Sequence, residues 1–113
     1  MSTSYNAILG VGKEFWEDYE VFDFLLEQKF VAEDDREEYE EDGGCEWFYD
    51  RSKKYGSLEL TMQDCYNGNG FFLGFTLNPR DVDAFGLQVS EAKMKWTNLF
   101  TENPEMCHFV QIC

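Results

Sequence analysis

Two short segments with alternating apolar residues, separated by an Asn-Gly repeat, constrain the fold of this chain more than any other feature. The first alternates Leu58, Leu60 and Met62 with polar residues, and the second runs from Phe71 to Leu77. Successive side chains of a strand point to opposite faces, so this alternation predicts two strands with one buried face each. Asn67 to Gly70, which joins them, supplies residues that tolerate positive φ. The sequence therefore predicts an antiparallel hairpin.

The remaining periodicity predicts further strands at residues 4–11, 45–50 and 107–113, the second of them from its aromatic content. Residues 16–31 have helical periodicity, and an apolar arc of that helix is expected to pack inward. Asn78-Pro79 is typical of a helix start, with Gly86 as its end, and another helix is expected from Ser90 to about Asn103. The inward arc of the first helix comprises Tyr19, Phe22, Leu25, Leu26 and Phe30.

This order of elements predicts an α+β fold. We expect a mainly antiparallel sheet of four to five strands, with two to three helices packed on one face. The chain has 113 residues, of which 43 % are hydrophobic. That is sufficient for one packed core, so residues 1–113 are expected to form a single domain.

The charge is distributed very unevenly along the chain. The formal net charge is −14, and 16 of the 23 acidic residues lie between Glu14 and Asp50, where Lys29 and Arg36 are the only bases. Outside this helix-loop segment, 14–50, acids and bases are equal in number. Nucleic acids and anionic lipids recruit proteins through clusters of Lys and Arg, so this charge disfavours both as direct partners. It favours a basic protein as the partner.

The location and the redox state follow from what the sequence lacks. The first residues, MSTSYNAILG, contain neither a basic region nor a long apolar run, which predicts a cytoplasmic protein. Disulfides are uncommon in that compartment, so Cys45, Cys65, Cys107 and Cys113 are expected to be free thiols.

Four carboxylates recur at three- and four-residue spacing in the first predicted helix. Glu17, Glu20, Asp23 and Glu27 therefore project from one side of it as neighbours. Phe24 flanks this row. Most aromatic residues of small domains are buried, which favours a core position for Phe24, but an exposed apolar anchor for the partner is the alternative.

A second acidic stretch follows the helix, with eight acids in the ten residues from Glu33 to Asp42. Repulsion between like charges at i, i+4 opposes a stable helix, so we expect a solvated loop or a frayed helical extension. A purely solubilising role is as compatible with this pattern as a binding role. The candidate contact residues are Glu33, Asp34, Asp35, Glu37, Glu38, Glu40, Glu41 and Asp42.

No motif specifies catalysis, a metal or a cofactor. Gly12-Lys13 lacks the preceding Gly and the following Ser or Thr of a phosphate-binding loop. Asp81, Asp83 and Gly86 resemble the start of a calcium loop, but Ala92 stands where its final Glu is required. His108 is the single histidine, in an apolar strand where a structural role is favoured. We therefore expect a non-enzymatic protein without a cofactor, although an unmarked acidic active site remains an alternative.

These observations favour an inhibitor that mimics nucleic acid and occupies the basic groove of a nucleic-acid-processing protein. Phage-encoded proteins directed against restriction or CRISPR systems act in this way. The alternatives are an immunity or antitoxin protein that blocks a basic nuclease, and an acidic adaptor. The first two share the same physics, because carboxylates replace phosphates in the field of the partner. The many aromatic residues are as compatible with a dimer interface as with the core.

Overall fold

A computed structural model describes residues 5–51, 54–55, 58–65, 70–78, 80 and 82–112. It confirms the α+β class and also contains a 3-10 turn at Glu33–Asp35. The strands are β1 (Tyr5–Phe15), β2 (Lys54–Tyr55), β3 (Leu58–Asp64), β4 (Phe71–Leu77) and β5 (Glu105–Ile112). The helices are α1 (Asp18–Glu27), α2 (Arg36–Asp42), α3 (Gly44–Arg51) and α4 (Val82–Leu99).

The sheet has the order β2-β3-β4-β1-β5, and every neighbouring pair is antiparallel. The predicted hairpin is confirmed as β3 and β4, with Leu60 opposite Phe75. Its end is closed by a 3.0 Å hydrogen bond from the Cys65 amide to the Gly70 carbonyl. Gly70 has a φ of +122°, a backbone conformation that glycine adopts more readily than other residues. The rest of the predicted turn, residues 67–69, lies outside the described part of the chain.

β1 pairs with both β4 and β5 and is longer than predicted. Its second half pairs with β4 up to Phe15, whereas its first half pairs with β5. Gly10 and Gly12 lie inside this strand. A Cβ on Gly12 would overlap the Leu73 carbonyl, and one on Gly10 would overlap the Phe72 ring. The two glycines therefore permit the close packing around β1.

The main core lies between one face of the sheet and the helices. Alternating residues of β3 and β4, among them Leu60 and Phe75, contact buried residues of all four helices. Phe72, Cys107 and Phe109 form a smaller buried cluster. They project from the opposite face, since alternate residues of a strand point in opposite directions. The expectation of helices on one face is met with four helices rather than two or three.

Residues 45–50 were predicted as a strand but belong to helix α3. Trp47 and Phe48 are buried, whereas Tyr49 is exposed. The Trp47 amide donates to the Gly43 carbonyl at 2.9 Å, as in the first turn of a helix. The aromatic strand propensity is overridden here, because burying two neighbouring aromatic rings against the core requires the helical arrangement.

The two helices predicted between residues 78 and 103 are one continuous helix, α4. Gly86 does not end it, because an interior glycine weakens a helix by only about 1 kcal/mol relative to Ala. Asn78 makes a turn before the helix, since its Oδ1 accepts a hydrogen bond from the Arg80 amide at 3.1 Å. α4 ends at Leu99, four residues before the predicted end at Asn103. None of the described helices is long and apolar enough to cross a membrane.

Candidate partner-binding surface

The predicted carboxylate row lies on α1 and at the residue before it. Glu17, Asp23 and Glu27 are exposed, and Glu20 is half-buried. Glu20 Oε1 accepts a hydrogen bond from the Glu17 amide at 2.9 Å, which stabilises the first turn of α1. The structure therefore brings the row together on one helix, with Glu20 partly engaged in starting it.

Arg36 joins α1 to the acidic segment that follows. Its Nη2 lies 3.2 Å from Asp23 Oδ1, and its Nε lies 2.6 Å from Glu33 Oε1. The guanidinium carbon is 4.7 Å from the centre of the Phe22 ring. The hydrogen bond from Arg36 lowers the pKa of Glu33, and the same carboxylates raise the pKa of Arg36. Asp23 and Glu33 are thus partly neutralised within the protein.

The acidic stretch was expected as a loop or a frayed extension, but it forms the separate helix α2. Tyr39 is buried and packs against the rings of Phe22 and Trp47, with centroids 4.9 and 5.4 Å away. Its hydroxyl donates to Asp18 Oδ1 at 2.6 Å, and burial raises its pKa. Together with the contacts of Arg36, this tertiary anchor offsets the charge repulsion that opposes the helix.

α2 presents its carboxylates to solvent on a folded element. Asp35 is half-buried, and its Oδ2 accepts a hydrogen bond from the Ala32 amide at 2.9 Å, which fixes the turn before the helix. The other predicted contact residues of this stretch are exposed: Glu33, Asp34, Glu37, Glu38, Glu40, Glu41 and Asp42.

Phe24 is not available as a surface anchor. It is 6 % exposed, and its ring contacts other rings of the core. The favoured core position is the observed one, so Phe24 is not the exposed anchor of the alternative interpretation. The helix faces the core on two sides, toward the sheet and toward α4, which is why residues beside the acidic row are buried.

Two exposed aromatic residues were missed as candidates. Trp16, just before α1, is 71 % exposed, and Tyr19, which was predicted to face the core, is 59 % exposed. Nothing in the periodicity distinguishes them, because Tyr19 lies on the predicted apolar arc. They adjoin the carboxylate row, so the surface combines negative charge with aromatic area.

A groove of about 400 Å³ runs beside α1. Its aromatic lining comes from Phe15, Trp16, Tyr19 and Phe24, and its carboxylates are Glu14, Glu20, Asp23, Glu27 and Glu102.

Lys13 is the cation in this groove. Its Nζ lies 2.5 Å from Glu102 Oε2 and 5.0 Å from the centre of the Phe24 ring. It also lies 5.3 Å from the centre of the Phe15 ring, so it makes cation–π contacts with both. The groove therefore already accommodates one cationic group against aromatic rings and a carboxylate.

A larger hollow of about 520 Å³ lies between α3 and β3, apart from the carboxylate row. Cys45 lines it, and burial raises the pKa of that thiol to about 12. Burial likewise raises the pKa of Cys65 to about 11 and that of Cys107 to about 12. All three are free thiols, as expected, whereas Cys113 lies outside the described residues. Thiols with raised pKa values are poor nucleophiles at neutral pH.

Within the described ranges, no three His, Cys, Asp or Glu side chains come together as a possible metal site. Gly12 and Lys13 lie within β1, and Asp83 and Gly86 lie within α4, rather than in loops, whereas Asp81 lies outside the described residues. His108 is exposed on β5.

No protein family model matches this chain, and comparisons with curated proteins and with solved structures find no match either.

Proposed function

We propose that this protein inhibits a nucleic-acid-processing protein by occupying its basic groove, with carboxylates in place of phosphates. The observation that carries the proposal is the exposure of carboxylates on two folded helices, α1 and α2, rather than on a loop. Charges fixed in space bind with a smaller loss of conformational entropy than charges on a mobile chain. A folded acidic surface is therefore the better substitute for a nucleic-acid strand.

The spacing of the charges supports this proposal. Helix positions three or four residues apart place their Cβ atoms about 5 to 6 Å apart, which gives a dense, regular series of negative charges. A nucleic-acid strand also presents closely repeated negative charges, and its protein partners contact them with Lys and Arg. The field of such a partner would attract this surface and accelerate association.

The proposed inhibitor acts in the cytoplasm.

The test of this proposal begins with capture of partners on the immobilised protein, followed by purification of the captured protein. Binding should weaken as salt rises, and the partner's own nucleic acid should compete with this protein. A ternary complex of partner, nucleic acid and this protein would contradict the proposal. Inhibition confined to a compact nuclease active site would indicate an immunity protein instead.

The charge dependence needs a matched pair of variants. Glu17→Gln with Glu27→Gln removes two charges from the row, and Glu91→Gln with Glu105→Gln removes two elsewhere. We expect the first pair to weaken binding about tenfold, equivalent to about 1.4 kcal/mol, and the second to leave it within about twofold. Surface plasmon resonance gives both constants, and equal effects of the two pairs would show that only net charge matters.

A further inference from the structure

Trp16 and Tyr19 are unusual because large aromatic side chains are seldom left so exposed at adjoining positions. They are 71 % and 59 % exposed, and both line the groove beside α1. Trp and Tyr are enriched among the residues that dominate binding energies, since they bury much area for little loss of side-chain freedom. Their position suggests a contact made only in a complex.

Two cations already bound around α1 indicate what kind of group the groove would accept. On one side of α1, Lys13 lies over the rings of Phe15 and Phe24 and pairs with Glu102. On another, Arg36 lies over Phe22 and pairs with Asp23. Both internal cations are held by an aromatic ring together with a carboxylate. Trp16 and Tyr19 offer rings beside the carboxylates of the same groove.

We infer that Trp16 and Tyr19, with the neighbouring carboxylate of Glu20 in the same groove, form a subsite for an arginine side chain of the partner. This inference rests on the proposed function and specifies the partner residue that it engages. A guanidinium is planar, so it stacks on an aromatic face while donating two parallel hydrogen bonds to a carboxylate. The ammonium of lysine is a compact, strongly hydrated charge and gains less from such a site.

Two short peptides of equal charge test the inference directly. Acetylated, amidated (Gly-Arg)3 and (Gly-Lys)3 would be titrated into the isotopically labelled protein and followed by NMR. We expect the arginine peptide to bind about threefold more tightly or better. It should shift the indole signal of Trp16 but not those of the buried Trp47 and Trp96. Equal affinities, no binding, or an unmoved Trp16 signal would overturn the inference.

Matched variants separate the aromatic contribution from charge. Trp16→Ala with Tyr19→Ala should weaken the arginine peptide about fivefold, close to 1 kcal/mol, and remove its advantage over lysine. Leu87→Ala, also an exposed apolar position, should change neither affinity. If the double variant binds the arginine peptide as tightly as the wild type does, the subsite is refuted. The proposed function is unaffected by that result as long as nucleic acid competes with this protein for the captured partner. Failure of that competition would refute the proposed function instead.

Discussion

The ring of Phe24 lies 5.9 Å from the ring of Trp96, with the two planes only 19° apart, so an aromatic stack joins α1 to α4. The Trp96 indole also donates to the Glu102 carbonyl at 2.9 Å, which satisfies its polar atom while the ring is buried. Glu102 in turn pairs with Lys13 at the edge of the groove. The helix that carries the acidic row is thus held in place by the core directly beneath it.

Truncating Phe24 should therefore affect folding rather than recognition. Phe24→Ala is expected to lower the free energy of unfolding by about 3 to 5 kcal/mol, because it removes a large buried ring. Tyr19→Ala, on the exposed side of the same helix, should stay within about 0.5 kcal/mol. Urea denaturation followed by circular dichroism measures both, and a small effect of Phe24→Ala would show that the stack contributes little.

Replacing Leu60 by Ala tests whether the hairpin is part of the stability centre. The same replacement at the exposed Leu87 is the control. Leu60 is 1 % exposed and Leu87 is 74 % exposed. Leu60→Ala should cost about 2 to 5 kcal/mol through lost burial and a residual cavity. Leu87→Ala should cost no more than about 0.5 kcal/mol. Similar unfolding midpoints for the two variants would place Leu60 outside the stability centre.

Two glycine substitutions should change stability in opposite directions. Gly12→Ala would force a methyl group against the Leu73 carbonyl, so a loss of about 1 to 3 kcal/mol is expected. Gly86→Ala adds a methyl group in open space within α4, which should stabilise the protein by about 0.5 to 1 kcal/mol. Thermal unfolding of the two proteins tests the pair, and a destabilised Gly86→Ala would contradict the open environment of that residue.

The buried thiols predict a loss of stability in alkali. Their ordinary pKa is near 9.0, and in the folded protein it is raised to about 12 for Cys45 and Cys107. The folded state thus binds these protons more tightly than the unfolded state does. Their contribution is fully present below about pH 9 and is lost as the pH rises toward 12.

Unfolding free energies measured at intervals from pH 7 to 11 should therefore decrease above about pH 9. The double variant Cys45→Ala with Cys107→Ala should show a weaker decrease, although the raised pKa of Tyr39 contributes in the same direction. A pH profile that is identical in wild type and variant would show that the thiols do not contribute.

Alternation predicted the hairpin because each of its strands buries one face against a single layer of helices. Burial of one face produces a strict alternation of apolar and polar residues, which can be seen in the sequence. α1 was predicted less well because it contacts two layers. Its buried residues include Val21 and Phe24, whereas Tyr19 is exposed. Periodicity within one helix gives a single direction of burial, so a second contact with α4 cannot be inferred from it. The run that forms α3 indicated a strand for a different reason, because its aromatic residues have a strand propensity that tertiary packing overrides.

The candidate surface was predictable in part. Spacing alone placed the four carboxylates of the row on one side of a helix. That Arg36 would pair with Asp23, thirteen residues earlier in the chain, depends on how α1 and α2 pack. The helical state of Glu37 and its acidic neighbours depends on the burial of Tyr39. These contacts are tertiary, and local propensities contain no information on them.

Among the described residues, no charged side chain is buried. The parts of α1 and α2 that face solvent can therefore exchange one acid for another, or lose one, with little effect on folding, since surface substitutions usually change stability by less than about 0.5 kcal/mol. Under the proposed function, the surface charges can therefore change in evolution as the basic groove of the partner changes. Mutation can alter its outer charges freely, while natural selection on the interior continues to preserve the fold.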